Sequence, residues 1–286
     1  MEITNQKVGK ADIHVKWIMF TAAITGMAIL TGFYPIEANI PMVVIPSILV
    51  LILAKPVFFE KLKLTTLLTM RIVIVFAALN LFNPQVYVDV IMLMLIVNIL
   101  EATLTDLIRY KKYFNAISGF AVAIGVITLR GAWQFDAPFG NYYMAKGAVP
   151  AITIMYAIAY TLWNWIFVTN EFSPAVALMH VGFLFAPLFG SLCTIGLGTY
   201  GGIGMWLLLR ANSLSIGGWM QIGAKDWFER EYHNDKFAKF VQWTKQPPVQ
   251  VICMIINLAL IGACIFLMMQ NGGVVFTFSH LAAPAV

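Results

Sequence analysis

Charge is scarce in this chain. Of 286 residues only 11% are Asp, Glu, Lys or Arg, 60% are hydrophobic, and the mean hydropathy is +0.83. So little polar surface excludes a water-soluble globule, because most side chains must face lipid or one another. Cysteine is nearly absent. Cys193, Cys253 and Cys264 all lie in apolar runs, an odd count with no CxxC or Cys/His ligand spacing, and they read as small core residues. Histidine is limited to His14, His180, His233 and His280, too few for the iron of membrane desaturases or for bis-histidine haem. There is no GxxxxGK[ST], no HExxH, no GxSxG and no pair of aspartate-rich motifs to hold magnesium and a diphosphate. The final apolar run has no lysine and offers no retinal Schiff base. No metal, no cofactor and no soluble catalytic domain are expected.

Long apolar runs are what the chain has, near 17–36, 40–59, 64–83, 86–108, 113–131, 149–170, 174–193, 197–221 and 249–270. At 1.5 Å per residue, roughly 20 residues cross about 30 Å of hydrocarbon. The fold class expected is all-α: a polytopic integral membrane protein of about nine transmembrane helices plus one interfacial amphipathic helix. Pro41, Pro46 and Pro56 mark the second run as bent or broken, and eight crossings follow if it does not span as a regular helix. The organisation is a cytoplasmic segment 1–16, a membrane domain 17–221 of about eight spans, a cytoplasmic amphipathic segment 222–247, a last transmembrane helix 248–271 and a tail 272–286.

The net charge of +5 would suggest nucleic acid in a soluble protein, but here the cations cluster between apolar runs, so no nucleic-acid partner is expected. Lys7, Lys10 and Lys16 precede the first run, Lys55, Lys61 and Lys63 follow the second, and Arg109, Lys111 and Lys112 follow the fourth. The intervening loops carry Glu37, the Asn83-Pro84-Gln85 turn and the sparsely charged 132–148. Positive loops remain inside, which places the N-terminus in the cytoplasm, the C-terminus outside and the protein in the plasma (inner) membrane. The first run is long and lacks a small-residue cleavage site, so it reads as a retained span. In 224–243, Trp227, Phe228, Tyr232, Phe237, Phe240, Val241 and Trp243 interleave with charges, which suits a helix at the lipid headgroups. The same pattern suits a docking helix for a protein partner. No repeat period is visible, and Gly196, Gly198, Gly201, Gly202 and Gly204 allow close packing or an unwound segment around the eighth run.

The candidate site is the set of polar side chains inside the runs, because a charge facing lipid costs at least about 2.5–3.5 kcal/mol and turns inward. Asn98, Glu101 and Thr105 fall on one helical stripe. Glu101 lies eight residues before Arg109 and Arg71 eight after Lys63, each about 12 Å from the inner boundary, so the two are expected to meet. His180 and Asn164 fall at similar depth, and Arg210 is deeper unless Ala211-Asn212-Ser213 marks a break that lets it reach the surface. Tyr156, Tyr160, Trp163 and Phe167 form an aromatic stripe beside Asn164, able to wall a pocket.

Each group also has a purely structural reading, as interhelical glue or packing. If the layer is functional, Arg71, Asn98, Glu101, Asn164, His180, Tyr160, Trp163 and Arg210 would bind a small polar or anionic solute in a secondary transporter or permease. The alternatives are a membrane-embedded enzyme or lipid-handling protein in which Glu101 or His180 is the acid or base, and a sensor or assembly subunit docking through 224–243. The outer half supplies few polar groups for a path, chiefly Asn80, Asp89 and Thr153.

Overall fold

A computed structural model describes residues 10–79, 81, 84–130, 133–136, 142–145 and 150–270. The tail 272–286, the first nine residues, Asn80 and most of the loop 132–148 lie outside the described residues. Proline opens four of the helices, α4 (Pro84–Leu104), α7 (Pro150–Glu171), α8 (Pro174–Cys193) and α12 (Pro247–Gln270). Its fixed φ suits a first helical turn, where its missing N–H has no intrahelical partner to lose. The α8 start is also capped, Ser173 Oγ accepting from Val176 N at 3.3 Å.

The remaining elements are α1 (Lys10–Phe33), a π-helical turn Ile40–Val44 running into α2 (Ile45–Leu53), α3 (Phe58–Ala78), a second π-helical turn Thr105–Arg109 ending α4, and α5 (Tyr113–Gly125) with the short α6 (Ile127–Arg130). A small antiparallel hairpin follows, β1 (Trp133–Asp136) on β2 (Tyr142–Ala145) with Trp133 opposite Ala145. It is the only departure from an all-helical chain among the described residues. Two 3₁₀ segments, Ile195–Tyr200 and Gly202–Met205, lead into α9 (Trp206–Gly223), and α10 (Lys225–Glu231) and α11 (Asp235–Thr244) precede α12.

Four helices are long and apolar enough to cross a membrane, Ile13–Phe33, Pro150–Glu171, Pro174–Cys193 and Pro247–Gln270, while Ile40–Leu53 and Tyr113–Leu129 are apolar but shorter. Several apolar helices of this length are compatible with a polytopic membrane protein. Large apolar side chains point outward from several helices, among them Ile52, Leu53, Ile108, Ile252, Ile255 and Phe266. The second run breaks where its prolines require: Pro41 lies in the π-turn and Pro46 in the first turn of α2. The eighth run is not one helix. It breaks at Gly201 and Gly202, where Gly202 takes φ +69° and a side chain on Gly201 would collide with the Thr194 carbonyl.

At the centre stands α9, buried on every side from Trp206 to Gly218 and packed against α1, α3 and α8. A helix enclosed on every face is an interior helix, whatever polar groups it carries. Segment 224–243 forms two helices rather than the single one expected. Both lie against the ends of the bundle: Phe228, Tyr232 and Val241 are buried, while Trp227, Phe240 and Trp243 face outward. Lys16 Nζ pairs with Glu231 at 2.7 Å, Ser173 Oγ donates to Glu229 at 2.6 Å, and Lys63 sits 5.6 Å over the Phe172 ring. These contacts gather the start of α1, the α2–α3 and α7–α8 connections and α10 at one end.

Two outcomes follow from this packing. A methyl group at Gly119 would overlap Thr103 Oγ and come within 2.7 Å of Trp163 Nε1, so Gly119→Ala should destabilise by about 1–3 kcal/mol in detergent melts, with partial recovery when Thr103→Ala is added. The Tyr232 phenol, enclosed by Phe20, Trp227 and Phe228, is pushed up by burial to about 12. The folded state therefore resists its ionisation, and stability falls as pH rises from about 10 to about 12. Alkaline melting curves of Tyr232→Phe should lack that part of the loss.

Candidate functional site

Two arginines enter the core on opposite sides of α9. Arg71, on α3, is fully buried. Its Nη1 donates to Asn212 Oδ1 in a short hydrogen bond and to Asn39 Oδ1 at 3.4 Å. Both amides are themselves held by backbone: Asn212 Nδ2 donates to Ala28 O at 2.9 Å, and Asn39 Nδ2 to Pro35 O at 2.8 Å and Thr31 O at 3.0 Å. The irregular turn after α1 thus has a task, bringing an amide to a guanidinium deep in the bundle.

Arg210 is two residues from Asn212, about 200° around α9, and so faces α7 and α8 instead. It is 2% exposed, and α9 runs unbroken through Ala211-Asn212-Ser213, so it does not escape to the surface. Its guanidinium donates to Phe183 O at 3.3 Å, Asn164 Oδ1 at 3.4 Å and Ser213 Oγ at 3.5 Å, and lies 5.2 Å over the Tyr160 ring. All three bonds are at the long end of the hydrogen-bonding range, and Nε has no acceptor. The aromatic stripe closes around it: Tyr160 is edge-on to Trp163 and to Trp206, both at 5.5 Å, and Tyr156 packs on Trp206 at 5.9 Å. The indole N–H groups of Trp163 and Trp206 also lack partners. The sequence set Asn164 beside the stripe of Tyr160 and Trp163 and Arg210 deeper, and these four do come together.

The other expected partners separate. Glu101 lies partly buried within electrostatic reach of Lys63 and Glu171, between α3, α4 and α7, and no described bond joins it to Arg71, whose described bonds include those to Asn39 and Asn212. The pairing expected from equal depth is therefore replaced, for two reasons. Depth says nothing of direction around the helix axis. The wide π-turn Thr105–Arg109 also advances less per residue than the α-helical rise used to place Glu101. His180 is buried and stacked on Phe172 at 4.6 Å, with Nε2 2.9 Å from Gln221 Oε1. Asn98 lines a shallow recess of about 10 Å³, room for about one water, between α3, α4 and α9, whose other walls are mainly apolar, among them Leu67, Met70, Leu95 and Leu214.

One cluster escaped the sequence reading. Asp106, fully buried in the π-turn, accepts from Asn115 Nδ2 at 2.6 Å, and Gln250 Nε2 donates to Asn170 Oδ1 at 3.1 Å beside it. The neighbours of Asp106 are amides on α5, α7 and α12, each lying near a helix end where an Asn or Gln is unremarkable. No group of three or more potential metal ligands exists among the described residues. No protein-family model, no curated protein and no solved structure matches this chain.

Asn212 is the side chain on which the Arg71 arrangement turns. Asn212→Leu keeps the volume but leaves a buried charge without its shortest described bond, and should lower stability by about 2–3 kcal/mol. Equilibrium unfolding in mixed micelles, compared with Leu208→Ala as a packing control, is the measurement.

Proposed function

We propose that this chain is a multi-pass protein of the plasma (inner) membrane, crossing about nine times with its N-terminus in the cytoplasm and its C-terminus outside, and that it carries a small anionic solute. The observation that carries the reading is Arg210. A guanidinium 2% exposed in an apolar bundle, balanced among the described residues only by neutral oxygens and one aromatic face, leaves a positive charge that an anion would neutralise. The unpartnered Arg210 Nε and the indole N–H groups nearby are all donors, which suits an oxyanion, a carboxylate or a halide better than a cation. Asn164 and Tyr160 would orient the solute and Trp163 and Trp206 would shield it from lipid. His180, stacked on Phe172 and bonded to Gln221, would complete the polar lining toward the inner side.

Alternating access supplies the path. Arg210 is closed off on all sides here, and the helix that carries it begins at a glycine-broken 3₁₀ segment, so α9 can swing or unwind from that end to admit solute. The clustering of the α1 start, the α2–α3 and α7–α8 connections and α10 at one end supports the proposed orientation. The outward-facing Trp227, Phe240 and Trp243 support seating of α10 and α11 among lipid headgroups. A second reading is a lipid-handling role in which an anionic lipid approaches α9 from the bilayer, past the outward-facing Ile72, Leu93 and Val97 of α3 and α4.

Thermal unfolding of the purified protein against chloride, phosphate, small carboxylates and anionic lipids tests both. Binding to the native state only stabilises by about 2.7 kcal/mol at a hundredfold excess over Kd. A small anion should raise the midpoint of the parent and not of Arg210→Gln, and should exchange across proteoliposomes. Stabilisation by anionic lipid alone would favour the second reading, and stabilisation of neither kind would end the anion assignment.

A further inference from the structure

Asp106 is a carboxylate without a described ion pair, fully buried and gripped by side-chain amides from other helices. Asn115 on α5 donates to Oδ2 at 2.6 Å. Asp106 Oδ1 and Asn170 Nδ2 are both screened from solvent and without a hydrogen bond among the described residues, and the Asn170 amide is near enough to act on the carboxylate. Asn170 in turn accepts from Gln250 Nε2 at 3.1 Å, and Gln250 also reaches Thr244 O at 3.5 Å. A chain of amides therefore runs from α12 through α7 to one carboxylate, on a π-turn, a local irregularity that recurs at functional sites.

The charges around it are mixed. Glu171 on α7 and Lys112 before α5 act on Asp106 directly. Arg109 on the same turn and Lys63 on α3 act on Glu171, and Lys245 before α12 is coupled to Lys112. Burial and Glu171 oppose the carboxylate charge, while the Asn115 amide and Lys112 favour it. A metal ion would need several more oxygens than this cluster offers, whereas a proton needs none.

We propose that Asp106 is a proton-binding site whose occupancy is passed to α7 and α12 through the Asn170 and Gln250 amides. A hydronium ion at the inner face gives its proton to Oδ1 and leaves as water, and the carboxylate becomes a neutral acid. Oδ1 then needs an acceptor where it had needed a donor. Asn170 must turn its oxygen toward Asp106, and in doing so withdraws that oxygen from Gln250, loosening the polar tie between α7 and α12. Asn164, which holds Arg210, is six residues away on α7, about 9 Å along the same helix. In the carrier reading, on which this last step rests, the proton accompanies the anion and their charges cancel.

Infrared difference spectra of the protein in nanodiscs, titrated from acid to neutral pH without solute, test the proton site. A carboxylic C=O band that shifts in D₂O should appear in the parent, be absent in Asp106→Asn, and persist in Glu101→Gln and Glu171→Gln. Asn115→Leu, which removes the donor to the charged form, should raise the midpoint by about one pH unit or more, and this variant decides the matter if Asp106→Asn fails to fold. A band unchanged in Asp106→Asn, or a midpoint unmoved by Asn115→Leu, overturns the proposal. Coupling is read separately, from the pH dependence of anion affinity. It should tighten as pH falls in the parent and be flat in Asp106→Asn, and a pH dependence unchanged in that variant overturns the coupling. If no anion binds the parent at all, the carrier reading fails while the infrared titration still stands.

Discussion

A guanidinium that reaches neither water nor a described carboxylate has to be held by neutral oxygens, and around Arg210 the helices are arranged to supply them. The Phe183 carbonyl comes from α8, Asn164 from α7 and Ser213 from α9 itself. Arg71 lies on the opposite face of α9, where Asn212 and Asn39 from the turn after α1 accept hydrogen bonds from it. Desolvating such a charge opposes folding by several kcal/mol unless its donors are met. A helix buried on all sides that nonetheless carries Arg210, Asn212, Ser213 and Ser215 is one whose neighbours must each bring a polar atom to a set place.

That demand explains irregularities that would otherwise weaken the bundle. The π-turn Ile40–Val44 follows the residue that reaches Arg71, the break at Gly201 and Gly202 precedes the helix bearing Arg210, and the π-turn Thr105–Arg109 presents Asp106 to the amides of other helices. Each departure from regular α-helix sits beside a buried polar group. Regular helices satisfy their own backbone and need nothing from neighbours. Where the ladder is interrupted, side chains and backbone can be aimed at a group on another element.

The helices themselves were legible because their cause is local. Apolar length, proline at the first helical position and the scarcity of charge act through neighbouring residues and need no tertiary partner. Similarly, Asn164, Tyr160 and Trp163 lie within one turn of α7, and their common face followed from helical period alone. The two-helix form of 224–243 was less legible, because the split at Tyr232-His233-Asn234 is imposed by an Asn234 cap and by docking of Phe228 and Tyr232 on the bundle.

By itself the sequence determined a helical membrane protein with charges too few and too well spaced to be accidental, because hydropathy and spacing are properties of the chain read in order. Only tertiary structure decided which charges meet. Arg71 and Glu101 share a calculated depth, yet one faces Asn212 and the other Lys63 and Glu171. Arg210 and Asn212, two residues apart on α9, were driven to opposite sides of the same helix, and Asp106 found amides up to 144 positions away at Gln250, through Asn170. Rotation of a helix about its axis, and the choice of its neighbours, are set by packing over the whole bundle, and a linear pattern carries depth but not direction.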